Sequence, residues 1–267
     1  FCLLALVILV TLYTTGGISA DGFRGSILIL VCGELLIVIF SAIAVSASTI
    51  AKEREDGSLD LLLTTSITPT IYLHGKVRGL VMHLLPMALV PCITMIAIGL
   101  LVLIDPAGSI DVDSSASLQI ANSSIDVPLA LYAPALLMPC VVIPYIAFCL
   151  TLGLLWSMRS KDSIGAIVST LILVFVVTGG LGLCLGPSSN MGFVGSLFAS
   201  LSPVNAVFAI LSPAETLPNI LLDGIGPANI SLGICSVVAG IIWTLISYGL
   251  LKSMASSFVI TVRRLAG

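Results

Sequence analysis

The twenty-five residues from Ser26 to Ile50 include one charged residue, Glu34. Apolar runs of similar length recur along the chain. A run of roughly 20 such residues crosses a hydrocarbon core of about 30 Å at 1.5 Å per residue. The runs are continuous rather than alternating. In lipid every backbone amide and carbonyl must be satisfied within the protein, so runs of this kind read as helices and not as barrel strands. Composition agrees, with 58% hydrophobic and 9% charged residues where a soluble domain is about a quarter charged. The expected fold is an all-α polytopic membrane protein.

Six spans are expected in one transmembrane domain covering residues 1–267, at about 1–13, 26–50, 78–104, 128–158, 164–185 and 231–251. The first, Phe1 to Tyr13, is short and reads as a helix truncated at its cytoplasmic end. The fourth carries Pro134, Pro139 and Pro144, which predict a kink or break. The fifth has Gly179, Gly180 and Gly182 near its end. Gly186 to Asn229 is too apolar for a solvated loop, yet Pro187, Pro203, Pro213, Pro218 and Pro227 punctuate it. Met191 to Leu201 and Val204 to Leu211 are each too short to span, which predicts an outer re-entrant hairpin at about 191–211. The acidic stretch Asp105 to Val127, with Asp111, Asp113 and Asp126, reads as a solvated outer loop. Asn122 and Asn229 each begin an Asn-x-Ser glycosylation pattern and fall outside in this topology.

Cytoplasmic loops attract Lys and Arg, which fixes orientation. With Ser46 to Gly79, the Met158 to Asp162 turn and the tail after Leu251 on one side, that side holds nine of the ten basic residues. They are Lys52, Arg54, Lys76, Arg78, Arg159, Lys161, Lys252, Arg263 and Arg264; the other side keeps Arg24 alone. Both termini are then cytoplasmic.

Ser46 to Gly79 also holds four of the thirteen acids, so it must face water. Asp56 and Gly57 end the preceding helix, since glycine readily takes the left-handed conformation used there. Ser58 can cap a new short helix with Asp60 in its first turn, where the helix dipole favours an anion. That helix carries Leu59, Leu61, Leu62 and Leu63. Thr68-Pro69 is a second start signal, a cap followed by proline at the first helical position. Periodicity alone leaves two uses open for the leucines: lying in the headgroup region, or docking on a protein.

The order of residues from Lys52 to Lys76, KEREDGSLDLLLTTSITPTIYLHGK, resembles the signature between the second and third spans of ABC transporter type-2 permeases. In that family acid-Arg-acid, Gly-Ser/Thr-Leu, a leucine run, Thr-Thr, a proline and then Gly-Lys follow one another. The match covers these 25 contiguous residues, and the six-span layout, the Met158 to Asp162 turn and the apolar hairpin fit the rest of the chain. The resemblance implies that Gly57 to Thr65, including Ser58, Leu59, Leu62, Leu63 and Thr64, is a coupling helix seated in a groove of a nucleotide-binding ATPase subunit. It implies that Glu53, Arg54 and Glu55 form a polar network at the base of the second span. Pro69, Gly75 and Lys76 then lead into the third, with Gly75 and Gly79 permitting close helix approach. The implied protein is the permease subunit of a bacterial ABC exporter in the inner membrane, paired with an identical or different second permease. It is surrounded by membrane lipid and has no nucleic-acid partner.

His74-Gly75-Lys76-Val77 does not complete a phosphate loop: Thr70 stands where the first glycine belongs, and Val77 replaces Ser or Thr. The chain is therefore expected to hold no catalytic residue and no cofactor, with ATP and magnesium bound by the partner ATPase. No metal-ligand spacing is present; the seven cysteines fall in or beside apolar runs and form no CxxC pair. His83, near the cytoplasmic start of the third span, is expected to pack with a hydrogen bond. Glu34 is costly in mid-membrane, about 2.5–3.5 kcal/mol on insertion scales, and is either a member of the translocation path or an acid buried by structural pairing or in its protonated form. A secondary transporter driven by an ion gradient is the alternative, but it requires matched repeats with midplane polar sites.

Overall fold

The computed structural model describes the backbone at residues 2–55, 69–104, 118–120, 123–125, 129–160, 162–188 and 192–266. Side chains are described over the same residues except 20, 54–55, 69–70, 118–120, 123–125, 185–188, 222 and 257–266. Among the described residues the elements are helices apart from one small hairpin. In order come α1 (Cys2–Thr14), α2 (Ala20–Glu55), α3 (Pro69–Ile104), β1 (Leu118–Ile120), β2 (Ser123–Ile125), α4 (Tyr132–Leu136) and α5 (Met138–Arg159). Then follow α6 (Ser163–Ser188), α7 (Phe193–Leu201), α8 (Pro203–Leu211), α9 (Pro213–Thr216), α10 (Pro218–Leu222) and α11 (Ile225–Ala266).

Among the described residues, five helices are long and apolar enough to cross a membrane: Asp21–Glu53, Ile71–Ile104, Met138–Arg159, Ser163–Cys184 and Ile225–Ser256. This is a multi-pass helical membrane protein. α1 has 13 residues, about 20 Å of helix, less than the hydrocarbon thickness. The long helices extend past their apolar runs. α2 continues through Lys52–Glu55, and α3 begins on Pro69, nine residues before Arg78, because water-facing turns keep the ladder once a membrane segment has nucleated it.

The break near the fourth span falls at Leu137, not at a proline. Pro139 is the second residue of α5, where its missing amide leaves no ladder bond unmade, and Pro144 sits within the helix. The expected solvated loop at Asp105 to Val127 contains an antiparallel hairpin, with Leu118 opposite Ile125 and Ile120 opposite Ser123. α7 and α8 have nine residues each and pack together. Prolines open α8, α9 and α10, each at the start of a helix where no amide is needed.

Contacts divide the chain into two compact units. The first comprises Phe1–Leu36, Leu89–Val142 and Gly179–Gly240. In it Tyr13 of α1 stacks on Phe23 of α2 at 4.5 Å between ring centroids, and both rings are buried. Arg24 pairs with Asp21 at 3.4 Å and donates from Nε to the Leu129 carbonyl. Asn229, only 2% exposed, accepts from the Ala133 amide at the start of α4 and donates to the Ile225 carbonyl. Both ends of its amide are committed to the fold, so the Asn-x-Ser pattern at Asn229 presents no open side chain; Asn122 lies outside the described residues.

The second unit comprises Ile37–Ala88, Ile143–Thr178 and Ile241–Gly267. Tyr145, Phe148 and Trp243 form a buried aromatic cluster, with Trp243 edge-on to Tyr145 at 5.2 Å and tilted against Phe148 at 4.5 Å. The Tyr145 hydroxyl is 2.5 Å from Thr178 Oγ1, so the ring's polar end is satisfied where its body packs. A separate apolar cluster joins Ile50, Leu73, Leu154, Met158 and Met254, one or two residues from each of α2, α3, α5 and α11.

Candidate functional site: the base of α2 and α3

α2 ends on Glu55 and α3 starts at Pro69, so the described backbone stops at either side of the charged segment singled out in the sequence. Tyr72 and Lys76 are four residues apart on α3 and share a face. Both reach Glu53, two residues before the end of α2. Tyr72 donates its hydroxyl to Glu53 Oε2, and Lys76 forms an ion pair with Oε1. Lys76 Nζ also lies 3.4 Å from the Tyr72 oxygen and 5.3 Å from its ring centroid. The three side chains close a triangle. The Glu53 and Lys76 side chains are 32% and 19% exposed, enough to keep both charges solvated.

Beneath the triangle, Ile50 and Leu73 belong to the apolar cluster, and Tyr72, Val77 and Leu80 pack against it. The triangle is thus the polar rim of a packed junction. It ties the last turn of α2 to the first turns of α3 and fixes the two ends between which residues 56–68 run.

Of the residues expected to act here, Glu53 and Lys76 are brought together. Arg54 and Glu55 occupy the last turn of α2, and Pro69 opens α3, but their side chains lie outside the description. Gly57, Ser58, Leu59, Leu62, Leu63 and Thr64, with the coupling helix expected at 57–65, lie outside the described residues. Among the described residues, Gly75 and Gly79 make no close helix approach. Both are exposed, and a Cβ added at either meets nothing within 4 Å. His83 is exposed too, so among the described residues the packing expected of it is not seen.

Sequence reading missed Tyr72 as a member of the site. Its position four residues before Lys76 was the available signal. Glu34 sits elsewhere, in the first unit. It is 5% exposed and receives the Thr94 hydroxyl of α3 at 3.2 Å from Oε2. Among the described residues no three His, Cys, Asp or Glu side chains gather as a metal ion would need.

Breaking the triangle has a graded expected effect. Glu53→Gln should lower unfolding stability in detergent by about 1 kcal/mol, the range of a partly exposed ion pair. Glu53→Lys should cost more, because it sets two ammonium groups face to face. The exchange Glu53→Lys with Lys76→Glu should recover most of that loss, as thermal unfolding of the three variants would reveal.

No family model matches the chain, and no curated protein or solved structure matches it.

Proposed function

We propose that this chain is the permease subunit of an ATP-driven exporter, powered by a separate nucleotide-binding subunit that docks on residues 57–65. The observation that carries the reading is the Glu53–Tyr72–Lys76 triangle. A segment that transmits force between a soluble motor and membrane helices must be anchored stiffly at both ends. The two flanks of residues 56–68 are bound to one another over a shared apolar cluster. A leucine-bearing segment between charged flanks can supply grip and register to a partner's groove.

In this proposal α1 is the sixth span beside the five long helices, and α7 with α8 forms a re-entrant hairpin on the outer side. Both termini and the charged segment face the cytoplasm across the inner membrane. The basic residues support that orientation: nine of the ten fall in the segments assigned to that side, and Arg24 alone falls on the other. Two permease subunits pair, alike or different, and the substrate passes between them. ATP and magnesium are held by the motor. The permease makes and breaks no bonds; ATP shifts its population between inward-open and outward-open states.

Co-purification tests this. The chain is co-expressed with the ATPases encoded beside it and solubilised in mild detergent. A stoichiometric ATPase that remains bound through size exclusion is the expected result. Recovery of the intact permease with no ATPase under every such pairing would end the exporter reading.

A further inference from the structure

Within the second unit, α5 touches the backbone of α2 at two places one turn apart. Gly153 lies against Ser46 and Ala47: a Cβ added there would be 2.9 Å from Ser46 Cβ and 3.1 Å from the Ala47 amide nitrogen. Four residues on, Ser157 Oγ accepts from two consecutive amides of α2, Ala51 at 2.9 Å and Ile50 at 3.1 Å. Ser46 and Ser157 are both fully buried. Helical amides point along the axis at the carbonyl four residues back. Two neighbours that also reach a side chain of another helix are shared between it and their own ladder, a situation in which helices bend.

The acceptors of the same stretch are shared as well. Ser46 Oγ donates to the Ala42 carbonyl at 2.7 Å, Ser48 Oγ to Ala44 at 2.8 Å, and Thr49 Oγ1 to Val45. Such back-bonding slightly destabilises helices and often bends them. From Ala42 to Glu55 there is neither proline nor glycine. Four hydroxyl groups within or against two turns therefore compete for the ladder's own donors and acceptors here.

We propose that Ser46 to Ala51 is a flexing joint in α2, and that Ser157 is the positioning residue that keeps it loose by drawing on the Ile50 and Ala51 amides. The turn beyond the joint, Lys52 to Glu55, then moves with Tyr72 and Lys76 as one piece. In the exporter reading, on which this last step rests, the joint passes motion of residues 57–65 into the membrane-spanning part of α2.

The test is hydrogen–deuterium exchange by mass spectrometry on the full chain in lipid nanodiscs, read at the peptide covering residues 46–55. In Ser157→Ala the two amides return wholly to their own ladder. Exchange there is expected to slow by about two-fold, since sharing of ladder groups with a side chain destabilises a helix only slightly. Ser157→Thr retains the oxygen and should exchange as the native protein does. Ser46→Ala leaves α5 intact and frees the Ala42 carbonyl, so it too should slow the peptide.

A serine that merely caps or glues the helices gives the opposite sign, faster exchange in Ser157→Ala. Faster or unchanged exchange would therefore overturn the joint. A second arm uses the co-purified complex. There Ser157→Ala should retain the ATPase yet lose the ATP-induced change in exchange of this peptide, and a change of native size would overturn the transmission step. If no complex forms, the exporter reading fails while the exchange result on the permease alone still decides the joint.

Discussion

Gly153→Leu is expected to abolish recovery of folded, monodisperse protein. The glycine marks a point where two long helices meet with no space between them. An added Cβ lands on Ser46 Oγ, 2.9 Å from Ser46 Cβ and 3.1 Å from the Ala47 nitrogen. Two of these three atoms are fixed by the backbone of α2 and cannot swing aside. Overpacking a buried site costs typically about 1–3 kcal/mol and sometimes more; a whole leucine against backbone belongs at the upper end. Gly153→Ala should be milder but still destabilising in thermal unfolding. Combining it with Ser46→Gly removes the two side-chain atoms in the way and should recover part of the loss, a non-additivity expected of residues in contact. Normal yield and stability of Gly153→Leu would show that α2 and α5 do not pack here.

The helical membrane architecture was legible because lipid imposes one simple requirement over long stretches. A run such as Ser26 to Ile50 has little alternative to a helix. The helix ends were less so. Hydropathy registers where the hydrocarbon stops, whereas the described helix of α2 runs through Glu55 and that of α3 begins at Pro69, past the apolar runs. The prolines at 134, 139 and 144 announced a disturbance without placing it. A proline's effect depends on whether its position needs an amide, and the break fell at Leu137.

The candidate site was legible in part. Glu53 and Lys76 were each singled out on either side of the segment at 56–68, but not as a pair, and they meet. Pairings over long sequence separations could not be read. Ser157 reaches amides more than 100 positions away, and a lone serine in an apolar run has no periodic signature. Asn229 matched a surface pattern in sequence yet is buried with its amide satisfied, because a three-residue motif says nothing about what packs on it. Gly75 and Gly79 had the spacing of a helix contact, but among the described residues a Cβ at either would meet nothing within 4 Å.

Leu62→Asp together with Leu63→Asp is expected to remove the ATPase subunit from the purified complex while leaving the permease folded. In the proposed mechanism these leucines enter a groove of the motor. Truncating a well-buried interface anchor costs about 2 kcal/mol or more, and a carboxylate must in addition lose its water. Retained ATPase should fall by at least about thirty-fold, the factor that 2 kcal/mol represents. The fold should survive, because the anchors of the two flanks are elsewhere: the Glu53–Tyr72–Lys76 triangle and the cluster of Ile50, Leu73, Leu154, Met158 and Met254. Leu62→Met with Leu63→Met keeps the apolar volume and should keep the motor. The competing use of the same leucines, burial among lipid headgroups, predicts a different pattern. There the aspartates would weaken the segment's hold on the membrane and leave any bound ATPase in place. Retention of the motor by the double-aspartate variant would therefore remove residues 57–65 from the coupling path, and the Glu53 triangle would remain as a structural junction alone.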